Sequence, residues 1–261
     1  MAQLKAVLWD VDGTLAESER DGHRVAFNAA FEAMGLDWRW SAERYGELLR
    51  ITGGRERILH DMTTRTDAPT MPAEREALAR ELHRLKNIHF GNLVLGSKLP
   101  LRPGVAQLME ECNERGVKMA IVTTTSRVNA DALLQVHLGP RWPQRFGAVV
   151  CGEDVRQKKP DPEAYLIALQ TLELGPLDAV AIEDSPGGVA AARAAHVPVV
   201  VPLSAYFENA TIEGAVAIGP GLHTRQGWRP ALRADAQGDG PVRLDDLQGW
   251  CAEMDTVSQY H

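Results

Sequence analysis

Val7-Leu8-Trp9-Asp10-Val11-Asp12-Gly13-Thr14-Leu15 is the stretch around which the chain is organised. The apolar run from Ala6 to Trp9 has the length and composition of a short buried strand. Two aspartates come next, two residues apart, then Gly13, which permits a tight turn, and Thr14. Side chains alternate along an extended chain, so Asp10 and Asp12 share a face if the strand geometry continues. Two carboxylates facing one way at a strand end repel each other unless a cation lies between them. Alone, an Asp-x-Asp-Gly turn also fits an ordinary loop after a core strand, so its meaning depends on the residues further along the chain.

Beyond Leu15 the pattern is first helical. Ala26, Phe27, Ala30, Phe31 and Met34 recur at three- and four-residue spacing, with Gly35 as a stop. A second helix is expected over 42–50. Thr52-Gly53-Gly54-Arg55-Glu56-Arg57 reads as a turn feeding a third, and Pro72 suits the start of a fourth, with Leu78, Leu82, Leu85 and Ile88 as its apolar stripe. No stretch between 18 and 95 reads as a strand. From Pro100 helices and strands alternate. Strands are expected at 117–122, 148–151, 179–182 and 198–201, and a weaker one at 215–218. The intervening helices are expected at 105–112, 128–136 (Val128, Ala132, Leu133 and Val136 on one face), 162–172 and 186–195. Such alternation predicts an α/β fold, a parallel sheet covered on both faces, with ligands at the carboxyl ends of its strands. The segment 219–240 reads as a loop, and 244–254 as a last helix.

The 261 residues are enough for one large domain or a domain with an insertion, and 44% apolar with 24% charged residues is ordinary for a globular protein. A net charge of −7 argues against general binding to nucleic acid or an anionic membrane surface. Cys112, Cys151 and Cys251 lack metal-site spacing, and the first two fall in apolar patterns. A reducing cytoplasm fits. Met1 to Lys5 lead straight into the first strand without the features of a signal peptide, and the most apolar stretch, 197–207, is too short and proline-broken to span a bilayer.

Asp10-Val11-Asp12-Gly13-Thr14-Leu15 resembles the first motif of the haloacid dehalogenase (HAD) superfamily. Three later pieces match that superfamily in order: Thr123 after a strand, Lys159 in Lys158-Lys159-Pro160-Asp161-Pro162, and Glu183-Asp184 ending another strand. The resemblance implies a Rossmann-like parallel core over 1–17 and 96–261, its tail after about 220 finding no counterpart, with a helical cap inserted over 18–95. It implies Asp10 as nucleophile and Asp12 as general acid/base. Thr123 and the Thr124 amide would hold the transferring phosphoryl group, and Lys159, preferred over Lys158, would neutralise Asp10 and the phosphate. Mg²⁺ would be held by Asp10, the Asp12 backbone carbonyl and Asp184, with Glu183 either a ligand or a residue that orients one.

The cap is similar to that of the phosphoglycolate phosphatase and beta-phosphoglucomutase branch. Within it the CbbY family, xylulose 1,5-bisphosphate phosphatases of carbon fixation, is most similar, on residues 15–19, 37–40, 45–49, 52–57 and 123–126. That implies hydrolysis of a sugar bisphosphate, clearing an inhibitor of Rubisco. Gly53 and Gly54 leave Arg55 sterically open, and its guanidinium suits a second, non-reacting phosphate. Glu17, His23, Tyr45 and Lys86 are further candidate substrate contacts. Each also has a bland reading, Arg55 as a bridge, His23 as a satisfied helix residue and Tyr45 as core. The stretch 18–23 runs one residue longer than the family pattern, which leaves the register of His23 open. A phosphohexomutase, a phosphoglycolate phosphatase and, in another class, a non-catalytic HAD-fold binding protein remain as alternatives. The expected partner is a small phosphorylated sugar, with no nucleic acid and no membrane. The oligomeric state is open, and a monomer is compatible with the sequence.

Overall fold

The computed structural model describes residues 4–96, 99–231 and 239–258. Met1 to Gln3 and residues 232–238 of the expected loop lie outside this range. Strand β1 (Ala6–Trp9) is buried along its whole length. Val7 and Trp9 pack into one apolar cluster and Ala6 and Leu8 into another, so the strand divides two cores. This is why its sequence is continuously apolar rather than alternating. Around it lie β2 (Lys118–Val122), β3 (Ala148–Val150), β4 (Ala179–Ile182), β5 (Val199–Pro202) and β6 (Ala217–Gly219). They form one parallel sheet in the order β3-β2-β1-β4-β5-β6, with β1 central. Trp9 is in register with Ile121 on one side and Ile182 on the other. The residues that follow these three strands therefore emerge together at one edge, and three of the four expected motifs are among them.

Between β1 and β2 the chain is helical. A short π-helical turn (Glu19–His23) leads into α1 (Arg24–Ala33), followed by α2 (Ala42–Leu48), α3 (Gly54–Met62) and α4 (Pro72–Leu95). Ser41 caps α2 by accepting a bond from the Arg44 amide at 3.1 Å, and Pro72 opens α4. These helices enclose a core of their own in which Phe27, Phe31, Trp38, Trp40 and Tyr45 meet. The expected stripe of α4 is only partly right. Ile88 is half exposed, and the buried line runs through Ala79, Leu82, Lys86, Phe90 and Val94. The helix packs first on α1 and α3 and then on the sheet domain through α6 (Arg127–Leu138), so its buried face follows successive neighbours. On α6, Val128 is likewise exposed, and the buried residues are Asn129, Ala130, Leu133 and Leu134.

The sheet is flanked by α5 (Val105–Glu114), α6, α7 (Glu163–Leu172) and α8 (Pro186–Ala194). The C-terminal stretch, opaque in sequence, has a definite place. Ile218 and Arg229 exchange backbone bonds of 2.9 and 2.8 Å, which covers the free edge of β6. Trp228 lies under Gly219, its ring centroid 4.7 Å from that of Trp250 on α9 (Leu244–Ser258). Asp246 of that helix accepts from Arg225 at 2.8 Å. Among the described residues no helix is long and apolar enough to cross a membrane. Because Trp228 is buried and fills the space between β6 and α9, Trp228→Ala should cost about 3–5 kcal/mol in urea unfolding. A loss below about 1 kcal/mol would show that this segment does not belong to the cooperative core.

Candidate active site

Asp10 follows β1 directly and is buried. The turn after it closes through a bond from the Leu15 amide to the Val11 carbonyl at 2.8 Å. Gly13 is needed here twice over: its φ is +87°, and a Cβ would lie 1.9 Å from Asp184 Oδ2. Lys159, from the segment between β3 and α7, brings its Nζ to 2.8 Å from Asp10 Oδ1, 2.7 Å from the Val122 carbonyl and 2.5 Å from Glu183 Oε1. Tyr165 donates to the same Glu183 oxygen at 2.5 Å, while Glu183 Oε2 is buried with no partner. Ser204, just beyond β5, donates to Asp184 Oδ2 at 2.6 Å.

Asp10, Glu183 and Asp184 each offer an oxygen within 4.8 Å of the others. One ammonium faces this group of three carboxylates. Burial, then the negative charge of Glu183, pushes Asp10 up to about 8 despite Lys159. Burial and Asp10 likewise raise Asp184 well above the usual carboxylate range. A buried cluster with excess negative charge and an unpartnered carboxylate oxygen fits a hard divalent cation, for which carboxylate oxygens are the preferred protein donors.

Asp12 has different surroundings. Its Oδ1 accepts from Ser18 at 2.5 Å and lies 2.8 Å from His23 Nε2. Burial works to raise its pKa, but His23, the Ser18 hydroxyl and Lys86 outweigh it and hold the carboxyl well below the ordinary range. Residues 19–23 form a π-helical turn, wound more widely than an α-turn, and His23 at its end reaches Asp12.

Two cavities of about 360 and 330 Å³ meet at Asp12, Glu19, Gly53, Arg57 and Thr124. The smaller reaches Asp10, Lys159 and Asp184. The larger is lined by His23, Gly54, Arg55, Lys86 and Lys158 and lies between the helical insertion and the sheet. Three expected contacts sit elsewhere. Thr123 is buried, lines neither cavity, and its hydroxyl accepts from the Thr125 amide at 3.2 Å; Thr124 is the residue at the cavity wall. Tyr45 is fully buried in the aromatic core, where it donates to Glu19 at 2.5 Å and accepts from Arg57 at 2.8 Å. Glu17 is turned away into a separate cavity beside Arg102, because Arg102 at 3.4 Å and the Ala205 amide at 3.2 Å hold its carboxylate there. Arg55 is on the cavity but half exposed, 4.0 Å from Glu76.

Sequence reasoning passed over Arg57, which is buried, lines both cavities and is held by Tyr45 and the Leu48 carbonyl. It also placed Lys158 second to Lys159, yet Lys158 enters the larger cavity and bonds Glu56 of α3 at 3.0 Å. Arg57 stands within the 52–57 turn, but nothing local separates a cation that turns inward from one that does not.

Carboxylates and a lysine gathered where parallel strands end, beside a cavity with cations on its walls, define a centre suited to displacement at phosphorus. Residues 4–196 match the haloacid dehalogenase-like hydrolases, and the chain belongs to that family as a phosphatase. It is 42% identical to the plasmid CbbY protein of Cupriavidus necator over 84% of this chain and 86% of that one. With CbbY of Rhodobacter capsulatus it shares 43% over 78% and 87% of the two chains. A crystal structure of an aspartate-to-asparagine variant of CbbY from Rhodobacter sphaeroides, in complex with xylulose 1,5-bisphosphate, is similar at a TM-score of 0.76 and 38% identity. That similarity covers 82% of this chain and 92% of the other.

The shifted acids set a sign for pH dependence. Asp10 and Asp184 bind protons more tightly folded than unfolded, so ionising them costs folded-state stability as pH rises from the unfolded carboxylate value toward 8. His83, lowered by burial to about 4, acts oppositely only below its unfolded value near 6.5. Lys86, lowered by burial to about 8, opposes the acids from about pH 7 upward, so the metal-free protein should lose stability most clearly between pH 6.5 and 7.5. Denaturation at both pH values checks this, and a flat profile would remove the crowding of the acids as its cause.

Proposed function

We propose that this protein is a Mg²⁺-dependent sugar-phosphate phosphatase whose substrate is a ketose bisphosphate, xylulose 1,5-bisphosphate first among them. The single observation that carries the chemistry is Lys159 bridging Asp10 and Glu183 with Asp184 alongside. Relatives named CbbY at about two-fifths identity support the substrate, as does the sugar bisphosphate bound to the Rhodobacter sphaeroides protein.

Asp10 is the nucleophile. Its carboxylate attacks phosphorus in line, the ester bond to the sugar oxygen breaks, and an aspartyl-phosphate forms. Lys159 holds the attacking carboxylate in place and offsets charge on the phosphoryl oxygens, with the Thr124 amide beside it. Asp12 donates a proton to the leaving oxygen, takes one from the water that attacks the aspartyl-phosphate, and passes it to the departing phosphate, so phosphate leaves as the monoanion and both acids return to their starting states. His23 and Ser18 keep Asp12 ionised in the free chain. A phosphate ester entering beside it brings negative charge, and its own second ionisation near ~6 supplies the proton. Asp10, the Asp12 carbonyl and Asp184 would hold Mg²⁺, which when bound lowers the proton affinity of Asp10 and neutralises phosphoryl charge. Glu183, already engaged by Lys159 and Tyr165, orients the lysine. The helical segment 18–95 acts as a cap over the sheet domain, 1–17 with 96–261, and excludes bulk water from the aspartyl-phosphate. Arg55 and Lys158 line the larger cavity, where a second phosphate would find positive charge. The compartment consistent with this chemistry is the cytoplasm.

Phosphate release from xylulose 1,5-bisphosphate, beta-glucose 1-phosphate and phosphoglycolate, with and without Mg²⁺, tests the assignment. The expected result is Mg²⁺-dependent release from the pentulose bisphosphate, with kcat/KM about a hundredfold above the others. Isomerisation of the glucose ester without net release would replace the phosphatase by a mutase, and Asp10→Asn should abolish turnover in a folded protein. Arg55→Ala should raise KM for the bisphosphate more than for a monophosphate, and equal effects on both would remove Arg55 from the second-phosphate role.

A further inference from the structure

Arg102 has no part in the phosphoryl chemistry, yet it is among the most heavily engaged side chains near the site. It lies in the link between the helical insertion and α5, and its backbone amide bonds the Leu15 carbonyl at 2.7 Å. Its guanidinium is almost buried. One terminal nitrogen donates to the carbonyl of Gly13 and, at 3.0 Å, to that of Pro202. The other donates to the Leu203 carbonyl at 2.5 Å. Nε lies 3.4 Å from Glu17, whose second oxygen accepts from the Ala205 amide.

These acceptors belong to two loops that never meet in sequence. Gly13 is in the turn that carries Asp10 and Asp12. Pro202 and Leu203 end β5 and pass directly into Ser204, which holds Asp184. Asp184 Oδ2 thus lies against the Gly13 backbone and accepts from the Ser204 hydroxyl, and one guanidinium ties together the two loops that carry them. Lys159 bonds Asp10 and Glu183 but makes no bond to Asp184, which can drift from them wherever the two loops around it separate. A planar donor with several fixed N–H directions resists that drift in a way a lysine cannot.

We infer that Arg102, anchored by Glu17, is a positioning residue for the acidic cluster: by tying the Gly13 turn to the end of β5 it sets the spacing between Asp10 and Asp184 at which a divalent cation is held. The inference rests on the proposed metal site at those acids. It also gives Glu17 a reason for its orientation, since its carboxylate holds the guanidinium and does not reach the substrate cavities.

The test is calorimetric titration of Mg²⁺ into the wild type, Arg102→Lys, Arg102→Ala and Glu17→Gln, with a melting curve for each. Arg102→Lys, which keeps the charge and loses the fork, should weaken Mg²⁺ binding about ten- to a hundredfold. Glu17→Gln should weaken it less. In Arg102→Ala, added guanidinium at millimolar concentration should restore part of the affinity, and methylammonium should not. Mg²⁺ affinity within twofold of wild type in a destabilised Arg102→Lys protein would overturn the inference and leave Arg102 as scaffold alone. If both Arg102 variants fail to fold, unchanged Mg²⁺ affinity in Glu17→Gln overturns it. A wild type that takes up no Mg²⁺ would overturn the metal site itself, and this inference with it.

Discussion

Lys159 makes the rest of the site possible. Three carboxylates converge where β1 and β4 end, and in a buried setting their repulsion would open the sheet at its most useful edge. The ammonium between Asp10 and Glu183, braced by the Val122 carbonyl, offsets part of that repulsion. Burial disfavours the charged lysine, but Asp10 and Glu183 outweigh it and leave its proton held more tightly than in water. Removing either side of such a contact leaves a charge unpaired in a dry place, which is why its members are tied together in fold and function alike.

The same surplus of negative charge that strains the site gives it a use. A cluster satisfied by its own cations would have no reason to take a divalent ion or a phosphate. This one is left short of positive charge, and the cavity beside it is walled by Arg57, Lys86, Arg55 and Lys158. The two aspartates of the first motif are set apart in proton affinity by their neighbours. Asp10 faces acids and a lysine, whereas Asp12 faces a histidine and a hydroxyl supplied by the helical insertion. Asp12, the acid/base group in the proposed mechanism, is therefore adjusted by residues outside the sheet, and in that proposal the insertion takes part in the chemistry as well as covering it.

Ala26, Phe90 and Val94 join the insertion to the apolar cluster of Val7 and Trp9, and its other contacts with the sheet are polar or aromatic. Lys158 meets Glu56, Asn129 meets Asn87 at 3.0 Å, and Tyr206 packs its ring against Tyr45 at 5.8 Å between centroids. The polar ones can be remade at modest cost, which suits the cap role proposed above. The C-terminal segment is held differently, by the Trp228–Trp250 stack and the bridge to Ile218, and it belongs to the sheet's permanent packing.

Much of this was legible in the sequence because it depends on local rules. Short apolar runs, their alternation with helical periods, and acids placed just after strands specify a parallel sheet with its chemistry at one edge. Asp10, Lys159 and Glu183-Asp184 could be named from that alone with the family resemblance. Where side-chain direction depends on a distant partner, the sequence was silent or misleading. Tyr45 turned inward because Glu19 and Arg57 were there to satisfy its hydroxyl, and Glu17 turned away because Arg102 and Ala205 hold it. Ile88 and Val128 lay on apparent apolar stripes yet ended exposed, since a periodicity marks a face without saying what will cover it. His23 reached Asp12 from the end of a π-turn that spacing could not reveal. Sequence alone specified which groups could do chemistry and the strand ends that carry them. Tertiary packing settled which of them face one another, because that choice is made by charges and carbonyls far away along the chain.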